Sequence, residues 1–380
     1  MKKLGLYIHI PFCKQKCNYC DFYSLGCQES KIPSYIDALC NHIEREAHLY
    51  SNYEFDTIFL GGGTPSLIEP RDFEKLAKAI KCYLKITQGA EFSIEANPGT
   101  LTKEKLNCYK SSGVSRISIG LQSTSDSELK CLGRIHDLEK FKESYLLARE
   151  CGIDNINIDI MYGLPNQSLA DFSKTIREVC EFAPEHISAY CLKIEENTPF
   201  YKMRNSLILP NDDEEYEMYM YLCSELEKQG YEQYEISNFS KKGARCVHNL
   251  KYWLSEEYIG IGPSAHSYFN GQRYFYEDNV DNYINDLMCV DKCPTKYYEE
   301  KTSLKENSKD EYVMLKMRLS DGINVNEYKQ KFGCEFIVDY PRILDYIENG
   351  YVKVENEEYS FTPKGFFVSN YILTQILNFS

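Results

Sequence analysis

Three cysteines lie close together near the start of the chain, at positions 13, 17 and 20, in a C-x3-C-x2-C spacing. Thiolates are the usual protein ligands of iron–sulfur clusters, and three of them this close can bind three irons of a cubane 4Fe–4S cluster. No fourth cysteine follows at a similar spacing, so the fourth iron can be chelated by the amino and carboxylate groups of a small molecule. A structural zinc site is the alternative, but such sites use four ligands and His9 is the only other candidate nearby.

Further polar or glycine-rich positions recur downstream, each just after or near the end of an apolar run. The first is Gly61-Gly62-Gly63-Thr64, where the glycines let the backbone approach a ligand closely. The others are Glu95, Gln122 and Asp159. A capping or turn-forming role explains any one of them alone. Their recurrence after successive apolar runs indicates a ring of hydrogen-bonding groups around one site.

The elements that must position these residues follow a repeating pattern over the first two-thirds of the chain. Apolar runs alternate with amphipathic stretches of helical period, which is typical of parallel β/α units. The predicted strands are Leu4–Ile10, Thr57–Leu60, Glu91–Glu95, Arg116–Gly120, Asn155–Met161 and His186–Leu192. The predicted helices are 34–50, 70–84, 102–111, 137–151, 168–182 and 212–229. Six units predict an α/β fold with a partial (β/α)6 TIM-type barrel, whose function lies at the carboxyl ends of its strands.

The cysteine spacing, with Tyr7 before it and Tyr19 inside it, resembles the signature of the radical S-adenosylmethionine (SAM) family. Nearly the whole chain, including Gly133-Arg134-Ile135-His136, is similar to the oxygen-independent coproporphyrinogen oxidase branch of that family. The resemblance implies a 4Fe–4S cluster on Cys13, Cys17 and Cys20, with Tyr7 and Tyr19 beside the cluster and SAM. It also implies that SAM is bound by Gly62, Gly63, Thr64, Glu95, Gln122, Arg134 and Asp159.

A second motif, His248-Asn249-Leu250-Lys251-Tyr252-Trp253, follows the predicted barrel and contains the single tryptophan. Aromatic rings flanking a flat macrocycle and an imidazole nitrogen on its iron would suit haem. Composition alone favours a packed aromatic corner with a hydrogen-bonded histidine. The string, however, resembles that of the haem-chaperone members of the same branch, and this resemblance implies haem as a third cofactor, with His248 against it.

Three functions use these parts. An oxidase of this branch would use a SAM-derived radical to decarboxylate two propionates of coproporphyrinogen III, whereas a chaperone would hold haem and transfer it to an acceptor protein. The oxidases resembling this chain have a further cysteine two residues after the third ligand, where this chain has Phe22, and a longer segment before Tyr7. Together with His248 and its motif, these features favour the chaperone. A radical SAM enzyme acting on haem itself remains open, so the sequence does not decide whether the protein is an enzyme.

The pattern changes near residue 300, and two domains are expected at 1–300 and 301–380. The segment 270–305 is interpreted as a connection and its pair Cys289/Cys293 as incidental. Helices at 308–319, 324–332, 339–348 and 363–378, with strands at 351–355 and 359–361, predict a smaller winged-helix-like α+β domain. Such domains often bind DNA, but the acidic surroundings favour a protein contact or a lid role.

The chain has 57 acidic against 43 basic residues among 380, which argues against a nucleic-acid partner because such surfaces are basic. A signal peptide and a membrane-spanning run are not evident, so a cytoplasmic location with reduced thiols is expected for the 16 cysteines. The haem acceptor is not identified by the sequence; a membrane-associated acceptor and a homodimer stay open.

Overall fold

The computed structural model describes residues 1–290, 292–299 and 307–377. Its contacts divide the chain into two compact units, the first formed by 1–210 with 257–299 and the second by 211–256 with the residues after 299. The expected boundary near residue 300 therefore coincides with one crossing between the units. The segment 211–256, which contains the His248 motif, groups with the C-terminal residues instead of the barrel.

The strands are β1 Lys2–Ile10, β2 Phe12–Cys13, β3 Leu25–Gly26, β4 Tyr53–Gly62, β5 Ile86–Ala96, β6 Arg116–Gln122, β7 Asn155–Tyr162, β8 His186–Cys191, β9 Glu232–Gln233, β10 Asn238–Ser240, β11 Tyr258–Ile261, β12 His266–Phe269, β13 Gln272–Tyr276, β14 Lys296–Tyr298, β15 Ile323–Asn324, β16 Val352–Glu355 and β17 Glu358–Phe361.

The α-helices are α1 Ile32–Glu46, α2 Pro70–Tyr83, α3 Lys103–Ser112, α4 Asp126–Cys131, α5 Leu138–Glu150, α6 Leu169–Glu181, α7 Pro199–Met203, α8 Asp212–Lys228, α9 Val247–Trp253, α10 Val280–Met288, α11 Asn307–Lys316, α12 Val325–Phe332, α13 Phe336–Asp339, α14 Ile343–Glu348, α15 Pro363–Phe367 and α16 Ser369–Ile376. In the part of the chain that the structure describes, none of them is long and apolar enough to cross a membrane.

The first unit is built on a mostly parallel sheet, which confirms the predicted α/β fold class. Strands β1, β4, β5, β6, β7 and β8 lie side by side in sequence order, and each matches a predicted strand. The intervening helices bury one apolar stripe against the sheet. In α2 this stripe is Phe73, Leu76, Ala77 and Ile80, at the i, i+3, i+4, i+7 spacing of one helix face.

The far edge of this sheet differs from the expectation. Strand β11 is parallel to β1, and β12, β13 and β14 continue from it in antiparallel order. The interpretation of 270–305 as a connection was wrong for its described part, which contains β13, α10 and β14. The remainder of that segment, 291 and 300–305, lies outside the described residues.

Polar side chains occupy matching positions on the middle strands. Glu95 on β5 pairs in register with Ser118 on β6, Ser118 pairs with Asn157 on β7, and Asn157 pairs with His186 on β8. Side chains of paired residues point to the same face of a sheet. A row of polar groups therefore crosses four strands on one face, from Glu95 near the end of β5 to His186 at the start of β8.

The second unit contains α8, the β9–β10 hairpin, α9 and the C-terminal elements. Strands β15, β17 and β16 form a three-stranded antiparallel sheet beside helices α11 to α16. Helices with a small β-sheet agree with the predicted winged-helix-like domain.

Candidate functional site

The three cysteines lie on a loop that is fixed in place by backbone hydrogen bonds. Strand β2, which ends at Cys13, pairs with β3, and the Cys27 amide donates to the Cys13 carbonyl at 3.0 Å. The middle of the loop is fixed to the α4 end, because the Asn18 amide donates to the Leu132 carbonyl at 2.9 Å and Gln15 Nε2 donates to the Gly133 carbonyl at 3.0 Å.

Two of the thiols have polar donors beside them. Thr64 Oγ1 donates to Cys13 Sγ at 3.6 Å, and Arg134 Nη1 donates to Cys17 Sγ at 3.5 Å. Burial raises the pKa of the Cys13 thiol and raises that of Cys20 to about 11. Donors to sulfur and a nearby guanidinium favour the thiolate form that a metal requires. This donor set fits an iron–sulfur cluster.

Among the described residues, no three His, Cys, Asp or Glu side chains converge closely enough to hold a single metal ion.

Arg134 joins the cysteine loop to the ends of the strands. Its Nη2 donates to Asn97 Oδ1 at 2.8 Å and to the Gly120 carbonyl at 2.7 Å. Asn97 Nδ2 in turn donates to Thr64 Oγ1 at 2.9 Å. The cleft around this group is lined by Lys14, Gln15, Cys17, Thr64, Leu67, Asn97, Thr100, Gly133, Arg134, Ile135 and His136.

The glycine run meets β1 and β5 at the end of β4. Gly62 adopts a φ of +111°, and a side chain there would collide with the ring of His9. Its amide donates to Glu95 Oε2 at 3.0 Å, and the Gly63 amide donates to the Ile10 carbonyl at 2.9 Å. The glycines thus allow β1, β4 and the Glu95 carboxyl to approach one another.

Asp159 lies three residues before the end of β7, so it is farther from the end of its strand than Glu95, which is the penultimate residue of β5. Its Oδ2 accepts from Ser118 Oγ at 2.8 Å and its Oδ1 from Asn157 Nδ2 at 2.7 Å. Burial raises the pKa of both carboxyls, and together with the Asp159 charge it raises that of Glu95 to about 7. Gln122 ends β6 with a left-handed φ of 74°.

The two tyrosines have different neighbours. Tyr7 shares a 3.0 Å hydrogen bond with His9 Nδ1, and its ring stacks on Phe59. Tyr19 packs against the apolar cluster that includes Leu132. Burial raises the pKa of both phenols, so both stay neutral near pH 7.

The candidate residues of the first unit lie on the strands and loops described above, and His248 belongs to the second unit. His248 is 1% exposed, its Nε2 hydrogen-bonds Tyr252 Oη at 2.8 Å, and burial lowers its pKa to about 3. In this conformation it is the hydrogen-bonded histidine of a packed aromatic corner. Trp253, four residues on from Asn249, faces the Arg318 guanidinium at 5.8 Å.

From the sequence, Asn97 and His136 have no predicted role in this site, and His9 is considered only as a possible zinc ligand. Asn97 and His136 line the cleft, and His9 contacts Tyr7. The sequence could have indicated two of them. Asn97 follows a predicted strand closely, and His9 shares a strand face with Tyr7 by its i, i+2 spacing.

Comparison with known proteins supports the class of protein that the cysteine motif resembles. Residues 7–179 match the radical SAM superfamily, and residues 305–368 match the HemN C-terminal domain. The chain is 35% identical to the heme chaperone HemW of Bacillus subtilis over 98% of both chains, and 35% identical to that of Escherichia coli, also over 98% of both.

A solved structure of Escherichia coli coproporphyrinogen III oxidase (HemN), a radical SAM enzyme, superposes with a TM-score of 0.85. The match covers 98% of this chain and 89% of the oxidase at 22% identity, which shows a shared fold. The chain therefore belongs to the radical SAM superfamily, in the family of the proteins named heme chaperone HemW. Membership implies a 4Fe–4S cluster and SAM.

Proposed function

We propose that this protein is a haem chaperone that binds a 4Fe–4S cluster, SAM and haem, and transfers the haem to an acceptor protein. The observation that supports this most is the full-length similarity to proteins named heme chaperones, at 35% identity over 98% of the chain. Phe22, which is 64% exposed, stands where the oxidases resembling this chain have a further cysteine.

In this proposal Cys13, Cys17 and Cys20 bind the cluster, and Arg134 and Thr64 stabilise the thiolates through the hydrogen bonds described above. Gly62, Gly63 and Thr64 bind the methionine end of SAM. Its remaining polar groups lie near Glu95, Gln122, Arg134 and Asp159, with Tyr7 and Tyr19 alongside. A bound cluster supplies electrons and an open iron for SAM; the protein's own groups orient that ligand and exclude water from it.

His248 is the proposed haem contact of the second unit. Because its Nε2 is hydrogen-bonded to Tyr252 and its ring is buried, ligation through Nε2 requires the Tyr252 bond to break and α9 to expose the ring. The imidazole itself is already in the neutral form that binds iron.

The deciding experiment uses full-length protein reconstituted anaerobically with iron and sulfide. Haem is titrated and followed at the Soret band, and loaded protein is then mixed with a haem-free globin as the test acceptor. We expect saturable haem binding and transfer to the globin. In parallel, the protein is given coproporphyrinogen III and SAM, and we expect no protoporphyrinogen.

A variant pair tests the ligand. His248→Ala should shift the Soret band or weaken haem binding, whereas His48→Ala, which changes an exposed histidine, should not. Protoporphyrinogen formed at catalytic turnover would reject the chaperone in favour of the oxidase. Haem binding that is identical in both variants would remove His248 from the proposal.

A further inference from the structure

Two carboxyl groups share one nearby guanidinium inside the barrel. Glu95 is on β5, Asp159 is on β7, and Arg116 begins β6 between them. The charge of Arg116 favours the ionised form of both carboxyls, and the Asp159 carboxylate disfavours ionisation of Glu95. In a partly desolvated interior, one cation compensates one carboxylate, and ionisation of the second is costly.

Hydrogen bonding decides which carboxyl is ionised. Asp159 accepts from Ser118 and Asn157, and Asn157 is itself oriented by His186 Nδ1 at 2.6 Å and Ser188 Oγ at 3.1 Å. This chain of donors fixes the Asp159 carboxylate. Glu95 accepts one hydrogen bond from the described residues, that of the Gly62 amide.

We propose that Glu95 is partly protonated in the SAM-free protein and releases this proton to solvent when the positive charge of SAM enters the strand ends. Glu95 would then be the residue that couples SAM binding to pH. The inference rests on the SAM site of the proposed function. It adds to that site the release of a proton from Glu95 when SAM binds.

The other titratable groups that face Glu95 come from β1, β6 and β7. From β1, burial raises the pKa of Tyr7 and lowers that of His9 to about 4. From β6, Arg116 stays cationic, and from β7, Asp159 is held by its donors. Strand β4 contributes backbone at Gly61 and Gly62. The pKa of Glu95, raised by burial and by Asp159 to about 7, is consistent with the proposed titration.

The test is isothermal titration of cluster-loaded protein with SAM in phosphate and in Tris, whose ionisation enthalpies differ. The α-ammonium of SAM also loses a proton if its amine binds iron, so the quantity to compare is the difference between wild type and Glu95→Gln. For a group titrating near pH 7, we expect a difference of about 0.5 proton at pH 7, rising to about 0.9 at pH 6. Wild-type affinity should fall about tenfold more than that of the variant from pH 8 to pH 6.

Two further variants control the result. Glu95→Asp keeps a carboxyl and should keep proton release. Glu128→Gln changes a carboxyl on α4 whose pKa burial also raises, and should match wild type. Equal proton release in wild type and Glu95→Gln, with SAM bound by both, would overturn the coupling. Failure of wild type to bind SAM would overturn the site and the coupling together, whereas absent haem binding with normal proton release would reject only the chaperone.

Discussion

Replacing Asp159 by alanine tests whether the polar strand ends bind SAM. The substitution removes a carboxylate that accepts from Ser118 and Asn157 without touching a thiol. A charged hydrogen-bonding group of this kind contributes about 1–3 kcal/mol. The dissociation constant for SAM should therefore rise about 5- to 150-fold, while cluster content stays at the wild-type level.

The same substitution also lowers stability, and this effect must be separated from binding. Alanine leaves the Ser118 hydroxyl and one Asn157 N–H without an acceptor inside the protein, at about 1–3 kcal/mol for each buried group left unsatisfied. Thr175→Ala is the matched control, because it removes a buried hydroxyl that is hydrogen-bonded to Thr124 Oγ1 at 3.1 Å and leaves the Asp159 carboxylate and its donors in place. It should reduce stability while SAM affinity stays near that of wild type.

Isothermal titration with SAM on anaerobically reconstituted protein measures the first effect, and urea unfolding measures the second. An Asp159→Ala protein that is folded and cluster-loaded yet binds SAM within about twofold of wild type would refute this role for Asp159. The same result for Glu95→Gln and Gln122→Ala would mean that this edge of the sheet faces a different ligand.

Three further outcomes are expected. Cys17→Ala should abolish the visible charge-transfer absorption of the reconstituted cluster, whereas Cys289→Ala and Cys293→Ala, which change exposed cysteines, should leave it intact; normal absorption in Cys17→Ala would reject the ligand set. Burial alone would raise the pKa of Glu46, but His42 and Lys296, whose Nζ lies 2.7 Å from the carboxylate, lower it from 4.5 to about 2. This carboxylate should therefore contribute on the order of 3 kcal/mol to the free energy of unfolding above pH 4.5, and the contribution is lost as the pH falls towards 2. Urea unfolding of Glu46→Gln should show a shallower loss between those pH values, and an unchanged slope would contradict it. Burial lowers the pKa of His248 to about 3, so the imidazole stays neutral between pH 5 and 8 and its protonation should not change haem affinity over that range. A fall in haem affinity that depends on His248, measured by Soret titration between pH 8 and 5, would show that the ring titrates in the free protein.

The six β/α units could be predicted because each strand contains several buried apolar residues and the helices between them are amphipathic. Strand ends differed by a few residues, as at β4, which extends from Tyr53 to Gly62 beyond the predicted Thr57–Leu60. Strand β11 was not predicted. It has four residues, Tyr258–Ile261, in a glycine-containing stretch that resembles a loop, and its pairing with β1 is set by tertiary contacts.

Within the site, the sequence indicated which groups carry the chemistry but not how they are linked. The spacing of Cys13, Cys17 and Cys20 and the position of Glu95 near a strand end were sufficient to select those residues. The Arg134–Asn97–Thr64 chain joins three separate loops. Such a contact depends on strand order and side-chain rotamers, which a single sequence does not specify.

The proposed role of His248 depends on Tyr252, a residue of the same motif to which the histidine is hydrogen-bonded. His248 and Tyr252 lie four residues apart on α9, so their side chains share a helix face, and the phenol occupies the imidazole nitrogen that haem would need. Tyr252→Phe removes that competitor while keeping the ring. A hydrogen bond of this kind contributes about 0.5–1.5 kcal/mol, so if His248 ligates haem, the variant should bind haem roughly 2- to 12-fold more tightly.

This gain should disappear in the double variant with His248→Ala, because it acts through the imidazole. Soret titrations of the wild type, both single variants and the double variant complete the cycle. Unchanged or weaker haem binding by a folded Tyr252→Phe protein would show that Nε2 of His248 is not the iron ligand, and the histidine would then serve the packing of α9.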